Sequence, residues 1–177
     1  PYLLTIGTLQ PRKNLERLVR AFAQSGLPHQ LVLGGKPGWQ TESLFSEIAA
    51  LDEPVRERII LPGYLDDGDK AALLSGATAL VFPSLYEGFG FPVLEAQACG
   101  TVVLAANSSS LPEVSSGSAL LVDPLDVDEL ADGLRQIVMD DALRQELAGK
   151  GYANVRRFDW GETAGAVLAV LEKAAVA

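Results

Sequence analysis

The sequence predicts an α/β domain, a parallel sheet of about six strands with helices on both faces. Three observations predict it. Short apolar runs alternate with stretches of helical periodicity from Tyr2 to about Val138 of the 177 residues. The runs are apolar at nearly every position, as strands buried on both faces are, instead of alternating apolar with polar. Four of them, ending at Ile6, Leu33, Leu61 and Phe82, lead into loops rich in glycine or proline, which marks strand exits feeding crossover helices.

Tyr2 to Ile6 reads as a buried strand closed by Gly7. After the loop Thr8 to Lys13, Asn14 is placed to cap a helix whose apolar positions are Leu15, Leu18, Val19 and Phe22. Gly26 and Pro28 end that helix, and Gln30 to Leu33 is the second strand. A loop holding Gly34, Gly35, Lys36 and Trp39 precedes a helix that starts at Thr41 and runs through Leu44, Phe45, Ile48 and Leu51. Arg58 to Leu61 is the third strand; Asp66 with Asp69 marks the start of a helix to about Ser75; Ala79 to Phe82 is the fourth strand.

The loop Ser84 to Gly90 follows, and Pro92 opens the next helix, because a proline in the first turn loses no helical hydrogen bond. That helix ends near Gly100. Thr101 to Ala105 and Ala119 to Val122 are the fifth and sixth strands, separated by the polar loop Asn107 to Ser110 and a single helical turn at Leu111 to Val114. Asp126 caps a helix through Leu130, Leu134, Ile137 and Val138, and a further helix covers Asp141 to Val155. Asp159, with Glu162 three residues on, has the form of a capping box for a last helix over 159–177.

Fourteen basic against 23 acidic residues give a net charge of −9, which disfavours nucleic acid and anionic membrane as partners, since both demand a basic surface. Cys99 is the single cysteine and His29 the single histidine. No internal disulfide can form and no clustered thiols or imidazoles offer a metal site, so a reducing, cytoplasmic setting is expected. No apolar run approaches the ~20 residues of a membrane helix. The chain opens at Pro1 already inside a strand pattern, and is expected to be one domain cut from a longer protein.

Strand exits of a parallel sheet gather ligands into one crevice, so the chemistry is expected there. The loop after Phe82 joins a strand to a helix start, where free backbone N–H groups and the positive end of the helix suit an anion. Glu87 stands before its glycines and Glu95 eight positions on, in the first helical turn. An anion-seeking backbone between two acids suits a ligand carrying both phosphate and hydroxyl groups, such as a sugar nucleotide. Gly88 and Gly90 permit positive φ and close backbone approach; Phe89 and Phe91 either wall the cleft or pack in the core.

Arg12 and Lys13 put a bidentate cation and a point charge on the first loop, although two solvated cations ahead of a helix account for them equally well. Gly35 with Lys36 offers another phosphate contact, or a plain turn. Gly63 and Tyr64 can meet a base edge, or merely close a strand. His29 reads as structural, Cys99 as a small buried hydrophobe, and Trp39 and Trp160 as packing residues. The chain has neither the glycine-rich phosphate loop ending in Gly-Lys-Ser/Thr nor the dinucleotide fingerprint after its first strand.

Taken together, Gly7 to Asn14 (GTLQPRKN), Gly34 to Trp39 (GGKPGW), Pro62-Gly63-Tyr64 and Glu87 to Ala96 (EGFGFPVLEA) resemble the C-terminal, donor-binding half of the group 1 retaining glycosyltransferases. The segment Asn107 to Asp123 is similar to the stretch that follows in that family. The resemblance implies the second Rossmann-like lobe of a GT-B enzyme and a nucleoside diphosphate sugar as donor substrate, with no metal or other cofactor. Lys13 matches the lysine that holds the donor diphosphate, Glu87 the first glutamate of the E-x7-E motif near the donor sugar, and Glu95 the second, on the ribose hydroxyls. The backbone of Gly88 to Phe91 would meet sugar and phosphates, and Tyr64 would lie by the base. Gly7, Thr8, Gly35 and Lys36 complete the donor contacts.

Where the family often carries an arginine after the first-loop glycine this chain has Thr8, which makes Arg12 the candidate to supply the charge. The loop Pro11 to Asn14 looks like that of members using GDP-mannose. The acceptor would be bound by an N-terminal lobe, to which the helix over 159–177 crosses, in a protein either cytoplasmic or peripheral to a membrane. Two other functions remain open: half of a GT-B sugar-nucleotide 2-epimerase, and a nucleotide-sugar-binding module without catalysis.

Overall fold

The computed structural model describes residues 1–175. Six strands, β1 (Tyr2–Ile6), β2 (Gln30–Gly34), β3 (Ile59–Gly63), β4 (Ala79–Phe82), β5 (Val103–Ala106) and β6 (Leu120–Val122), form one sheet in the order β3-β2-β1-β4-β5-β6. All of its pairings are parallel. The helices are α1 (Leu15–Ser25), α2 (Glu42–Ala50), α3 (Glu53–Arg56), α4 (Asp67–Gly76), α5 (Phe91–Ala98), α6 (Leu111–Ser115), α7 (Val127–Met139), α8 (Asp141–Val155) and α9 (Trp160–Ala175), with a short 3-10 turn at Pro11–Lys13.

The apolar strands explain the two-sided core. Leu3, Leu31, Leu33, Val81 and Leu104 pack into one cluster with Leu18 and Phe22 of α1 and Leu130 and Leu134 of α7. Leu4, Leu80, Phe82, Val103 and Ala105 pack on the other face with Leu74 of α4 and Val93 and Ala96 of α5. At roughly 1.5–3 kcal/mol for each fully buried large apolar side chain, this alternation fixes the register of every strand. The order of the sheet reverses between β1 and β4. At such a switch point the connections leave in opposite directions and open a crevice at the strands' carboxyl ends.

Several expectations are corrected in detail. Asn14 precedes α1 but does not cap it: it adopts a left-handed conformation (φ 60°) and makes no side-chain cap bond. Its Nδ2 instead donates to the carbonyls of Pro83 (3.1 Å) and Pro124 (2.6 Å). Buried carbonyls at strand exits need donors, and this amide serves two of them. Neither Thr41 nor Asp66 makes a side-chain cap bond, whereas Asp126 accepts from Asp128 and Glu129 as expected. Of the box at Asp159, the bond from the Glu162 N–H is present at 2.9 Å. The third strand extends through Pro62 and Gly63, which an edge strand tolerates because one row of its N–H groups has no partner to lose.

Glu95 lies in the second turn of α5, because the helix starts at Phe91. Trp39 and Trp160 are exposed, at 57% and 76%, and Phe45 of α2 is exposed as well. The two tryptophans, expected to pack, do so only in part: Trp160 stacks on Phe91 and Trp39 donates to Gln10, since a single apolar side chain carries no information on whether its face is covered. No residue of α9 is buried, and Val167, Leu168, Val170 and Leu171 are each more than half exposed. Among the described residues no helix is long and apolar enough to cross a membrane. The last two residues of the expected C-terminal helix fall outside the described residues.

Candidate functional site

The loops leaving β1, β2 and β3 lie side by side at the carboxyl end of the sheet. Gly7 N–H donates to the Gly34 carbonyl (2.9 Å), Leu9 N–H to that of Lys36 (2.9 Å), and Gly35 N–H to that of Gly63 (2.8 Å). Glycine is required at Gly35: its φ is +155°, and a Cβ there would stand 1.9 Å from the Gly7 carbonyl oxygen. Between these loops and α4 is a hollow of about 260 Å³, lined by Gly7, Thr8, Gly35, Lys36, Tyr64 and Lys70 among others. The Lys36 ammonium sits 4.5 Å from the centroid of the Tyr64 ring, a cation–π contact at its edge.

On the other side of Gly7, across the switch point, the β1 loop meets the β4 loop. Leu85 N–H donates to the Arg12 carbonyl at 2.8 Å. Lys13, although charged, is buried, and its Nζ lies 2.7 Å from Glu87 Oε1. Arg12 Nη1 lies 2.7 Å from Glu87 Oε2 and donates to the Tyr86 carbonyl at 2.9 Å. Gly7 makes room for this arrangement: a Cβ there would stand 3.2 Å from the Lys13 Nζ, at a φ of +143° that side chains rarely adopt. The Lys13 ammonium also lies over the Phe82 ring, 4.4 Å from its centroid.

Electrostatics follow from burial and partners. Burial pulls the Lys13 ammonium below its ordinary pKa, against the opposing attraction of Glu87. Burial would raise the Glu87 carboxyl, but hydrogen bonds from Lys13 and Arg12 outweigh it and hold the group below the ordinary carboxylate range. Glu87 is therefore an anion at neutral pH, held from both sides by cations.

The β4 loop itself is fixed by serines of the β5–α6 connection. Glu87 N–H donates to the Ser109 hydroxyl (2.9 Å), and the Ser110 hydroxyl lies within reach of the carbonyls of Glu87 (2.9 Å) and Phe89 (2.7 Å), which share its single proton. The N–H groups of Gly88, Phe89, Gly90 and Phe91 have no acceptor among the described residues. They precede and open α5, so its positive end adds to their pull on an anion. Of the two loop glycines only Gly90 takes positive φ, at 114°; Gly88 does not.

Glu95 does not itself line the hollow but reaches Lys70, which does. Its Oε1 accepts from Lys70 Nζ of α4 at 3.1 Å. Burial would lower the Lys70 ammonium, but Glu95 and Asp67 together hold it above its ordinary value.

The structure thus brings Arg12, Lys13, Glu87 and the amides of Gly88 to Phe91 to one side of Gly7. Thr8, Gly35, Lys36 and Tyr64 lie on the other side, around the hollow, with Gly63 in the strand end beside it. Glu95 joins the group through Lys70. The side chains of Phe89 and Phe91 go elsewhere. They pack on Phe158 and Trp160, with ring centroids 5.6 Å (Phe89–Phe158) and 6.2 Å (Phe91–Trp160) apart, around a separate apolar hollow of about 470 Å³. Sequence reasoning missed Lys70, Ser109 and Ser110. A lysine in a polar helix start and serines in a polar loop carry no local sign of the partners they reach.

The family model described as "Glycosyl transferases group 1" matches residues 1–154. The O-antigen chain mannosyltransferase B of Escherichia coli is 37% identical to this chain over 164 residues, covering 90% of the chain and 42% of that protein. Among solved structures, sucrose-phosphate synthase from Thermosynechococcus elongatus superposes with a TM-score of 0.85 at 32% identity, covering 98% of this chain and 46% of its own. Anabaena HepE, solved with UDP-glucose, superposes with a TM-score of 0.86 at 22% identity, over 97% of this chain and 48% of its own, a likeness of fold. The chain spans less than half the length of each of these proteins.

Proposed function

The chain belongs to the group 1 glycosyltransferases, and on that premise we propose that it is the donor-binding half of a retaining hexosyltransferase acting on a nucleoside diphosphate sugar. One observation carries the proposal: at the β1/β4 switch point a buried lysine and an arginine both pair with the carboxylate of Glu87, the residue directly before the main-chain amides that lack acceptors at the start of α5. Cations and amides together suit a diphosphate; the carboxylate suits sugar hydroxyls. Mannose as the sugar is supported by the Escherichia coli relative, and guanine as the base rests on the resemblance of the first loop alone.

In this proposal the bond between the anomeric carbon and the diphosphate oxygen breaks and its electron pair leaves with the diphosphate, an acceptor hydroxyl oxygen bonds to the same face of that carbon, and the hydroxyl proton passes to the departing diphosphate oxygen. Lys13, Arg12 and the amides of Gly88 to Phe91 stabilise that charge as it develops, a preorganised electrostatic role. Lys13 has three N–H donors, so the one engaged with Glu87 leaves two for phosphate oxygens. Arg12 takes the place of the family arginine that Thr8 lacks. Glu87 holds the sugar hydroxyls and so fixes the orientation of the reacting carbon. Glu95 receives the ribose, and Tyr64 flanks the base. The leaving charge is handled by side chains and amides without a metal, so a chelator is expected to leave transfer by the full-length protein unchanged.

The acceptor is assigned to the part of the longer protein outside this chain, and the exposed apolar residues of α9 are assigned to contact with that part. The relatives reported above carry transferase and synthase names, which gives the epimerase alternative no support. Thermal-shift titration of the chain with GDP, UDP, ADP and their hexose conjugates tests the reading. Stabilisation by at least one conjugate, lost in Lys13→Ala, is expected, since a ligand stabilises in proportion to its binding to the folded state. No stabilisation by any of them would reject it.

A further inference from the structure

Lys70 has no part in the site as read from the sequence, yet its position is specific. It lies in the first turns of α4 and reaches across to α5, the helix that follows the neighbouring switch-point strand. Its Nζ is 3.1 Å from Glu95 Oε1 and 3.5 Å from Asp67 Oδ1. Its side chain is only 25% exposed, and it lines the same hollow as Gly7, Thr8, Gly35 and Tyr64. Lys36, the other cation of that hollow, is turned onto the Tyr64 ring. Glu95 Oε2 has no partner among the described residues.

We propose that Lys70 is a positioning residue for ribose recognition: by holding one oxygen of Glu95, it presents the other to the ribose diol at the mouth of the hollow. The inference rests on the nucleotide reading above and adds to it the residue that sets its sugar-ring selectivity. A free glutamate on a half-exposed helix face samples several rotamers. A glutamate with Oε1 fixed by an ammonium loses that freedom before the ligand arrives, so less ordering remains to be done on binding. A pair of vicinal hydroxyls then finds a carboxylate oxygen already aimed, while a ring without them finds nothing to donate to it.

The test is calorimetric titration of the 177-residue chain with GDP, UDP and ADP and with the 2′,3′-dideoxy form of each. The variants are Lys70→Met, Lys70→Arg, Glu95→Gln and the Lys70→Met/Glu95→Gln pair. For the nucleotide that binds best, the wild type is expected to prefer the ribose form by about tenfold or more. Lys70→Met should cut that preference to under about threefold while leaving the dideoxy affinity within about twofold. Lys70→Arg should restore most of it, because an arginine can still reach the carboxylate. Glu95→Gln should match Lys70→Met, and the double variant should lose nothing further.

A preference that survives Lys70→Met would overturn the role of Lys70 and leave the nucleotide reading standing. Equal losses for ribose and dideoxy forms would overturn it too, since Lys70 would then act as a simple phosphate counter-charge. Absence of binding by the wild type to all three nucleotides would overturn both the nucleotide reading and this role.

Discussion

The site contains two carboxylate–lysine pairs that look alike on paper and differ in burial. Glu87–Lys13 lies at the switch point with both side chains about 90% buried and a second cation, Arg12, on the same carboxylate. Glu95–Lys70 lies at the rim with side chains 36% and 25% exposed. The buried pair is costly to desolvate, and removing one member strands the other. The rim pair is screened by water and contributes little to folding. The inner pair ties two strand exits together; in the proposed reading it builds the site, and the outer pair tunes what that site prefers.

The largest expected effect tests the inner pair. Lys13→Ala should weaken binding of a nucleoside diphosphate by about 100-fold, the ~3 kcal/mol of a charge-assisted contact, read by calorimetry. It should also lower stability in denaturant melts by about 3 kcal/mol. A loss of stability as small as that of a surface pair would erase the contrast between the two.

Asn14→Ala should come next, costing about 2 kcal/mol by leaving the carbonyls of Pro83 and Pro124 without their donor. Chemical denaturation measures it, and nucleotide affinity should fall along with it because the β1 and β4 loops are no longer stapled.

Glu87→Gln should sharpen the division of labour. Affinity for the bare diphosphate should stay within about threefold, while the advantage of the sugar conjugate disappears; equal losses for both would reject the orienting role. Because the folded Glu87 pKa is depressed, its stabilisation is present above the ordinary carboxyl value near pH 4.3 and is lost as pH falls through the folded one. Melts of the wild type between pH 6 and pH 3 should therefore drop more steeply than those of Glu87→Gln.

The smallest effect is expected at the rim. Lys70→Met should change stability by less than about 1 kcal/mol, and the change should shrink further in high salt.

Much of this arrangement is legible in the residues. Unbroken apolar runs such as Ala79 to Phe82 report a sheet covered on both faces, because nothing polar can lie on either side. Glycine loops at strand ends report the crevice, and the sheet order found here puts the β1 and β4 exits together. The position of Lys13 and Glu87 on adjoining strand exits follows. Their contact does not, since it joins residues 74 apart in sequence and no local pattern encodes such a pair. Asn14 shows the same limit: a residue type suited to capping was taken over by two distant carbonyls. Lys70 sits in a helix start dense with aspartates, where a surface ion pair is the ordinary expectation, so its reach to α5 leaves no trace in the sequence. Phe89 and Phe91 lie in the motif by backbone and outside it by side chain, a distinction set by Phe158 and Trp160 well downstream.

The central claim is that the diphosphate of a nucleotide sugar is held where the first and fourth strands part. Crystals grown with GDP or UDP would test it most directly. Phosphate oxygens are expected within hydrogen-bond distance of Lys13 Nζ and of main-chain N–H groups between Gly88 and Phe91. A diphosphate bound elsewhere on the chain, with the Lys13–Glu87 pair untouched, would contradict it.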